Sequence, residues 1–565
     1  MPYSVLEGSA AREPFYLYQP FSREEWERYP FASEEDLQWF RDAKLGLFLH
    51  VGLSALGKVD IGWSRHTHKP PDGGIGPVPD EVYDHWAEEI ALPDFDARKW
   101  IQLARDGGMK YVVIITKHHD GFHMWDTAYS DYKITNSPFG RDYLRELVDA
   151  CHEAGMKVGL YYSQRDWKHP DYEPIPPEVS EKAPPHTLFQ YQEGQPVRIT
   201  ERHRRYIAYM HNTVRELMTN YGKIDILWWD ACWWGRMFLE EMWDADQIER
   251  EARALQPHLL INNRASLPGD FDTPEGSVGF FQNTRPWETC MPLGPAWAWT
   301  GEEIKSFRTV LHQFINCVCG DGNYLLSIGA MPNGEFDRPE QERVRQLGDW
   351  LSRYGESVYK TRGGPWLPGA WGGATFRGRT VYLHLLQAEP GGTLALPAIS
   401  AKILRAECLT GEKVTVSQDE SGVRAALDAG QVPGDDVIIR LEMDSVPEVL
   451  SQDRAQNLFA ASPAVYGELI LDTETGLPAS FPLKADRLLT GIAAEPEEGI
   501  VCRIEALSLS GEWETIGDDI REPAEIPVLR YEAGAYITGR RCRELRIAGS
   551  GSGCVKLKLY AKASE

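Results

Sequence analysis

The amino-acid sequence predicts an α/β protein in which a (β/α)8-type, TIM-like barrel is followed by two all-β domains that resemble β-sandwiches. Between about residues 40 and 360, short apolar runs alternate with longer segments of helical periodicity. Glycines close several helical segments just before the next apolar run. After Gly363 short alternating strands follow, separated by Gly, Asp and Pro turns. A doubly wound open sheet is the structural alternative for the first region.

Seven short runs in the first region are rich in β-branched and aromatic residues and show little polar alternation. This composition is typical of parallel strands that are covered on both faces. The runs are LGLFLHVGL (45–53), KYVVIITKHH (110–119), KVGLYYS (157–163), IDILWWD (224–230), HLLINNR (258–264), RPWETCM (285–291) and NYLLSIGA (323–330).

The segments between these runs carry the signals of helices and helix ends. DARKWIQLARDGG and RDYLRELVDACHEAG both end in glycine, which readily adopts the backbone conformation that follows a helix. ITERHRRYIAYMHNTVRELMTNYG is longer, and RPEQERVRQLGDWLSRYG closes the region. The repeated helix–glycine–strand joints indicate β/α units, and seven or eight such units predict a barrel.

Changes in pattern divide the chain into four parts. Residues 1–34 are an N-terminal extension, and residues 35–362 form the predicted barrel. Residues 363–444 form a β-sandwich domain and residues 445–565 a C-terminal all-β domain. The last boundary lies where DSVPEVLSQDRAQN (444–457) interrupts the alternation of the strands.

The charge of the chain excludes two classes of partner. A formal net charge of −25, from 59 basic and 84 acidic residues, repels phosphate backbones and anionic lipids. Nucleic acid and membrane surfaces are therefore not expected as partners, and a neutral substrate fits better. Neither a G-x-G-x-x-G nor a P-loop motif is present, and we expect no cofactor.

The cysteines and the N-terminus predict a cytoplasmic protein. Nine cysteines are scattered without a familiar zinc or redox spacing, which is typical of small buried residues in a reducing compartment. The N-terminus has no basic start followed by an apolar run. No stretch approaches the roughly 20 apolar residues that span a bilayer.

Polar and aromatic side chains lie at the ends of the predicted strands, where barrel enzymes place their active sites. Singly, His50 could be a core histidine and Arg264 a structural support. Together, these groups at one rim are difficult to explain as packing. The residues are His50, His118, His119, Tyr161, Trp228, Asp230, Arg264 and Glu288.

The segment IDILWWDACWWG (224–235) places Asp230 among four tryptophans. Glycoside hydrolysis needs two carboxylates, one to attack or stabilise the sugar centre and one to protonate the leaving oxygen. Asp230 supplies the first, indoles can stack on a sugar, and imidazoles can bind its hydroxyls. Because strand residues alternate, Trp228 shares the side of Asp230, whereas Trp229 points into the packing.

Metal-dependent hydrolysis is a second chemistry that these histidines permit. Candidate ligands are His66, His68, His118, His119, Asp120 and His123. His66 and His68 lie in a Pro/Gly-rich loop, and adjacent His118 and His119 on a strand are expected to point to opposite faces. We therefore expect no metal.

At these residues the sequence resembles the α-L-fucosidases of glycoside hydrolase family 29 and of the related family 151 in the same clan. The resemblance covers roughly residues 35–365. It is carried, in order, by DAKLGLFLHVGL, KYVVIITKHHDGFHMWDT, GLYYSQRDWKHPDY, ILWWDACW, LLINNR, RPWETC and GNYLLSIGAMPNGEF. Departures from the family 29 pattern lie in FLHVGL, in GKVDIGWSRHTHKPPDGG, which lacks a Glu-Trp pair, and in LLSIGAMP.

The resemblance implies roles for individual residues. Asp230 is the nucleophile of a retaining mechanism. The positions that hold fucose in this family correspond here to His50, His118, His119, Tyr161 and Trp228. Two further candidates are Trp63, on a loop that departs from the family pattern, and Arg264.

The general acid/base has three candidates. Glu275 is preferred because relatives take this residue from the loop after the fifth strand. Glu288, on the next strand, is second, with the alternative that it pairs with Arg264 or orients the site. Glu302 and Glu303 are third, since acids are also favoured in the first turn of a helix for structural reasons.

The sequence thus predicts an exo-acting, retaining α-L-fucosidase that needs no metal and acts on fucosylated oligosaccharides or fucosides. Transfer of fucose to a sugar acceptor is a further expected reaction. A homo-oligomer is expected because of the exposed strands of the C-terminal domains. The alternatives are a metal-dependent barrel hydrolase and a non-catalytic fucose-binding protein.

Overall fold

The computed structural model describes two compact units, which the contacts divide into Met1–Val449 and Leu450–Glu565. The described residues are 23–66, 76–176, 196–230, 238–276, 278, 281–369, 371–386, 388, 390–430, 433–450, 468–483, 487–497, 500–508, 513–520, 524–527, 529–532, 535–538, 542–550 and 554–563.

Seven parallel strands form the sheet at the centre of the first unit. They are β1 (Leu45–Leu49), β2 (Tyr111–Lys117), β3 (Lys157–Tyr162), β4 (Ile226–Trp229), β5 (Leu260–Ile261), β6 (Glu288–Pro292) and β7 (Asn323–Ile328). Their order in the sheet is β5-β4-β3-β2-β1-β7-β6, and every pair is parallel. Each predicted run coincides with one of these strands, although the strands are shorter than the runs and β6 ends one residue beyond its run.

Helices follow most of the strands. They are α1 (Arg23–Arg28), α2 (Glu34–Ala43), α3 (Ser54–Gly57), α4 (Asp80–His85), α5 (Ala97–Asp106), α6 (Tyr143–Glu153), α7 (Glu201–Asn220), α8 (Ala245–Leu255), α9 (Phe307–Cys319) and α10 (Arg338–Tyr354). Side-chain oxygens of Asp96, Asp142, Thr200 and Ser306 cap the first turns of α5, α6, α7 and α9. Gly155 after α6 has a positive φ of 67°, as its position in the sequence predicted.

The segment 271–275 lies between the two edge strands β5 and β6. Parallel bridges join Asn262 to Phe271, Asp272 to Trp287 and Glu275 to Cys290. The ring that the seven strands leave open is therefore filled by an irregular segment rather than by an eighth strand. This arrangement brings the side chain of Glu275 to the same end of the barrel as the carboxyl ends of the strands.

Strand β5 is shorter than the predicted run 258–264 because, at Asn262, the side chain rather than the backbone bonds to the neighbouring strand. Oδ1 of Asn262 accepts from the backbone N–H of Trp229 at 2.9 Å, and Nδ2 of Asn262 donates to the Trp229 carbonyl at 3.0 Å. The amide of Asn262 thus holds the last residue of β4. Asp230 follows directly, and its N–H donates to the Tyr162 carbonyl at 3.1 Å.

Side chains that alternate along the strands fill two cores. Those of one parity fill the barrel interior, where α2 closes the lower end with Leu37 and Phe40. Those of the other parity pack against the helices, and Trp229 belongs to this outer core, as predicted. Each buried Leu or Phe side chain stabilises the fold by roughly 1.5–3 kcal/mol.

Two antiparallel sheets complete the first unit. Their strands are β8 (Arg362–Gly363), β9 (Gly372–Arg377), β10 (Thr380–Leu385), β11 (Thr393–Leu396), β12 (Ile403–Cys408), β13 (Val414–Asp419), β14 (Gly422–Leu427) and β15 (Val437–Met443). The sheet orders are β12-β15-β10-β9-β8 and β11-β14-β13. They pack against the barrel through α9, where Arg308 forms a 3.0 Å ion pair with Asp435.

The second unit is entirely β in its described residues. Its strands are β16 (Glu468–Gly476), β17 (Ala479–Pro482), β18 (Arg487–Pro496), β19 (Val501–Ser508), β20 (Trp513–Ile520), β21 (Ala524–Pro527), β22 (Leu529–Glu532), β23 (Ala535–Thr538), β24 (Cys542–Ser550) and β25 (Cys554–Ala563). Two four-stranded sheets, β16-β25-β18-β21 and β17-β24-β19-β20, enclose a core of Ile, Leu and Val side chains. The predicted class, a TIM-like barrel followed by all-β domains, is confirmed.

Among the described residues, none of the helices has both the length and the apolar character that a membrane span requires.

Candidate active site

A pocket of about 290 Å³, including its open mouth, lies at the carboxyl ends of the barrel strands. Most of the predicted site residues line it, together with three that the sequence did not single out. The lining residues are Phe48, His50, Trp63, His118, Tyr161, Trp228, Asp230, Arg264, Glu275, Cys290 and Trp297.

Asp230 is the first residue after β4, and its carboxylate is held by two donors. Nη1 of Arg264 donates to Oδ1 at 2.8 Å, and the hydroxyl of Tyr161 donates to Oδ2 at 2.5 Å. The aspartate is only 7% exposed, so its access to solvent is through the pocket. This geometry presents an oriented carboxylate to whatever enters the pocket.

Arg264 connects this carboxylate to a second one. Its Nη2 donates to Oε2 of Glu275 at 2.7 Å, while Nε donates to Oγ1 of Thr273 at 2.9 Å. The guanidinium also lies over the Trp228 ring, 4.6 Å from the centroid. Asp230 and Glu275 are therefore neighbours across one planar cation, and glycoside hydrolysis uses two carboxyl groups that flank one bond.

Glu275 has the environment of a proton donor. Desolvation raises the pKa of its carboxyl, the Arg264 guanidinium lowers this pKa, and the negative charge of Asp230 raises it. Its side chain is nevertheless 22% exposed, so it can exchange protons with the pocket mouth. A carboxyl whose pKa is raised and that lies beside an oriented carboxylate can act as a general acid.

The three predicted sugar-binding histidines converge on the pocket. Nδ1 of His50 bonds to Oγ of Ser327 at 2.7 Å, and Nδ1 of His119 bonds to Oγ of Ser163 at 2.6 Å. Both serine hydroxyls donate onward to carbonyls, so each histidine donates from Nδ1 and keeps Nε2 as an acceptor. Burial lowers the pKa of His50 to about 3 and that of His118 and His119 well below the usual range.

Aromatic rings surround the histidines. The Tyr161 ring stacks on His118 at a centroid distance of 5.5 Å and on Trp228 at 5.6 Å. The Trp63 ring meets His119 edge-on at 4.9 Å. His119 does not line the pocket itself, but its Nε2 lies 3.8 Å from Oδ2 of Asp230.

Glu288 is placed differently from its prediction as a strand-end residue. It is the first residue of β6 and fully buried, so it lies at the amino ends of the strands and outside the pocket lining. Its carboxylate accepts from the hydroxyl of Tyr111 and from Nε1 of Trp228. Burial raises its pKa to about 7. The position supports the alternative that Glu288 orients the site, through Trp228.

The third acid/base candidate, the pair Glu302 and Glu303, also lies elsewhere than predicted. Glu302 and Glu303 are exposed and precede α9, which begins at Phe307. They therefore do not form the first turn of that helix.

A metal ion could in principle be held by His118, His119 and Asp230, whose ligand atoms lie within 4.8 Å of one another. The expectation that His118 and His119 point to opposite faces is wrong. Strand β2 ends at Lys117, and in the irregular turn that follows their rings lie 4.1 Å apart. However, both Asp230 oxygens already accept hydrogen bonds, one of them from a cation, which disfavours a metal ion there.

The other candidate metal ligands are engaged in packing or lie outside the described residues. His123 bonds to the Tyr132 carbonyl and the Tyr209 hydroxyl. Nδ1 of His66 bonds to the Gly76 carbonyl. Asp120 accepts from Tyr83. His68 lies outside the described residues, as do Trp233 and Trp234 of the segment IDILWWDACWWG.

Sequence reasoning missed Phe48, Cys290 and Trp297. Phe48 and His50 are two residues apart along one strand direction, so alternation could have identified Phe48. Cys290 faces the pocket from β6 by the same alternation. Trp297 follows β6 in an irregular loop, whose path no periodicity predicts.

Comparisons with known proteins agree with this geometry. The family model described as α-L-fucosidase matches residues 20–356, more than half of the chain. An α-L-fucosidase of Dictyostelium discoideum is 24% identical over 356 residues, covering 58% of this chain and 72% of that protein.

Solved structures give the same result. α-L-Fucosidase isoenzyme 1 from Paenibacillus thiaminolyticus is 30% identical with a TM-score of 0.62, over 73% of this chain and 99% of that one. The α-L-fucosidase from Vibrio sp. strain EJY3 shares the fold over 94% of this chain and 95% of its own, with a TM-score of 0.63 and 20% identity. The chain therefore belongs to the α-L-fucosidase family of glycoside hydrolases, as its resemblance to family 29 predicted.

Proposed function

We propose that this α-L-fucosidase is an exo-acting, retaining enzyme in which Asp230 is the nucleophile and Glu275 the general acid/base. The observation that carries the proposal is the single guanidinium of Arg264, which bonds to both carboxylates at 2.8 and 2.7 Å. Retaining glycosidases need their two carboxyl groups about 5–5.5 Å apart, and a shared guanidinium supports such a spacing.

In the first step, an Asp230 oxygen attacks the anomeric carbon while the bond to the leaving oxygen breaks. Glu275 gives its proton to that oxygen, so the aglycone departs as a neutral alcohol. The raised pKa of Glu275 supports this role because the carboxyl must be protonated when the substrate binds. The product of the step is a fucosyl ester of Asp230.

In the second step, Glu275 accepts a proton from water as the water oxygen attacks the anomeric carbon. The ester bond to Asp230 breaks, and fucose leaves with its original configuration. A sugar hydroxyl that replaces water would give a fucosylated acceptor by the same path. Transfucosylation is therefore part of the proposal.

The two sides of the pocket suit a 6-deoxy sugar. His50 offers a neutral acceptor nitrogen, Nε2, for a hydroxyl group, whereas His119 lies behind the lining beside Asp230. Phe48, Trp228 and Trp297 form an apolar surface on which the methyl group of fucose can be buried. The pocket gathers Asp230, Glu275 and His50 around one space, which supports the binding of a single terminal sugar unit.

We further propose that the protein is cytoplasmic and forms a homo-oligomer. The eight cysteines in the described part of the chain are free thiols, which suits a reducing compartment. Light scattering of the purified protein tests the oligomer, and a monomeric mass would contradict it.

Hydrolysis of 4-nitrophenyl α-L-fucoside followed by proton NMR tests the proposed mechanism. Retention predicts that α-L-fucose appears first and then equilibrates with the β anomer. Initial formation of β-L-fucose would overturn the retaining mechanism, and no hydrolysis by well-folded protein would favour a fucose-binding role.

A further inference from the structure

Asp60 connects two segments that are far apart in the sequence. Its Oδ1 accepts from the backbone N–H of Trp297 at 2.9 Å, of Ala298 at 3.3 Å and of Ile61 at 3.0 Å. The first two donors lie 237 and 238 residues along the chain. One carboxylate oxygen therefore joins the turn 60–63 to the loop 296–299.

Each of these segments carries an indole of the pocket wall. The turn carries Trp63, and the loop carries Trp297. Trp63 meets the ring of His119 at 4.9 Å, and Trp297 lies 5.1 Å from the ring of His50. The connection at Asp60 thus reaches His50, which lines the pocket, and His119, which lies beside Asp230, each through one indole.

The turn is also attached through Gly62, which shows how closely it fits the site. The N–H of Gly62 donates to the hydroxyl of Tyr83 at 3.0 Å. Gly62 has a φ of 64°, and a Cβ there would lie 2.2 Å from Nδ1 of His118. A small displacement of the turn would therefore shift His118 as well as Trp63.

The loop is attached at its other side. Nε1 of Trp299 donates to Asp337 at 3.2 Å, and Oγ of Ser327 donates to the Trp297 carbonyl at 3.3 Å. These bonds hold the loop to the barrel, whereas the bonds to Asp60 hold it to the turn. Among these contacts, the hydrogen bonds to Asp60 are the ones that join the two indole-bearing segments to each other.

We propose that Asp60 is a positioning residue of the fucose site, which fixes the turn carrying Trp63 against the loop carrying Trp297. The sugar-related part of this inference rests on the proposed function of the pocket. Asp60 does not line the pocket. Its effect passes through the two indoles to the binding of the sugar.

The role requires an acceptor oxygen rather than a negative charge, because all three bonds end on Oδ1. Asp60→Asn keeps a carbonyl oxygen at this position and is the conservative variant. Asp60→Ala removes the acceptor, and Asp60→Ser is a second variant, whose hydroxyl is too short to reach the loop. Thr375→Val is the control, since it removes a buried 2.6 Å hydrogen bond from Thr375, in β9 of the same unit, to the carbonyl of Ser357.

Two measurements on the full chain test the proposal. Hydrogen–deuterium exchange follows the peptides spanning 58–65 and 294–301, and calorimetry gives the affinity for L-fucose. Asp60→Ala and Asp60→Ser should speed exchange in both peptides and weaken fucose binding about tenfold, with Asp60→Asn within about twofold of wild type. Thr375→Val should change neither quantity.

The proposal is overturned if Asp60→Asn behaves like Asp60→Ala, or if exchange rises in only one of the two peptides. It is also overturned if fucose affinity in Asp60→Ala matches that of Thr375→Val. The exchange measurement needs no ligand or turnover, so it tests the coupling even if wild-type protein fails to hydrolyse a fucoside. Such a failure would count against the proposed function alone.

Discussion

The indole nitrogen of Trp228 donates a 2.9 Å hydrogen bond to Glu288, whose carboxylate is fully buried at the amino ends of the barrel strands. Trp228 lines the pocket from above this bond, under the guanidinium of Arg264. Two glutamates thus serve one site at different levels. Glu275 lines the pocket, and Glu288 supports an aromatic residue, Trp228, that also lines it.

Glu288→Gln should leave most activity intact and mainly reduce stability. The amide keeps one acceptor for Trp228 or Tyr111 but introduces a donor into a fully buried position, which costs about 1–3 kcal/mol. Chemical denaturation should show this loss, and kcat should stay within about tenfold of wild type. A loss of kcat near a thousandfold with restoration by azide would instead identify Glu288 as the acid/base.

Glu275→Ala should lose about 10²–10⁴-fold in kcat/KM on substrates with poor leaving groups, because proton donation is removed. Activated aryl fucosides should be less affected in the first step. Added azide should restore turnover and yield a fucosyl azide, since a small anion can enter the vacated space and needs no general base. Product analysis by NMR checks the outcome, and the absence of any rescue would contradict the assignment.

Arg264→Lys should move the alkaline limb of the kcat/KM profile to higher pH. Glu275 must be protonated in the first step, so its pKa sets that limb. The Arg264 guanidinium lowers this pKa, and a displaced, single-point charge lowers it less. The value of kcat/KM itself should fall about a hundredfold or more, because the guanidinium that bridges the two carboxylates is lost. An unchanged or acid-shifted limb would show that Arg264 does not control Glu275.

Removal of divalent ions should leave activity unchanged. Both oxygens of Asp230 are engaged by Arg264 and Tyr161, so the neighbouring histidines lack a free carboxylate partner. Dialysis against EDTA followed by assay and metal analysis checks this. Activity that disappears on chelation and returns with zinc would favour the metal-dependent alternative.

The sequence predicted the parts of the site that strand alternation controls. Trp228 and Asp230 share the inner side of β4, whereas Trp229 lies in the outer core. His118 and His119 could not be placed in this way, since β2 ends one residue before them and alternation no longer applies.

The remaining differences depend on where elements begin and how irregular segments run. Glu288 begins β6 instead of lying at its carboxyl end, which moves its carboxylate from the rim to the base of the barrel. Trp297 and Glu275 lie in segments without periodicity, and their positions are set by long-range contacts with Asp60 and Arg264. Glu275 was preferred through family resemblance, which carries information that periodicity lacks.

The assignment of Asp230 as nucleophile is tested most directly by trapping the fucosyl-enzyme. A 2-fluoro-fucosyl fluoride slows both steps by withdrawing electrons from the developing cation, while its good leaving group lets the first step proceed. Mass spectrometry of a proteolytic digest should then show one added fluorofucosyl group on the peptide that contains Asp230, and none in Asp230→Asn. A label on another residue, or an unlabelled but active wild-type enzyme, would contradict the proposed mechanism.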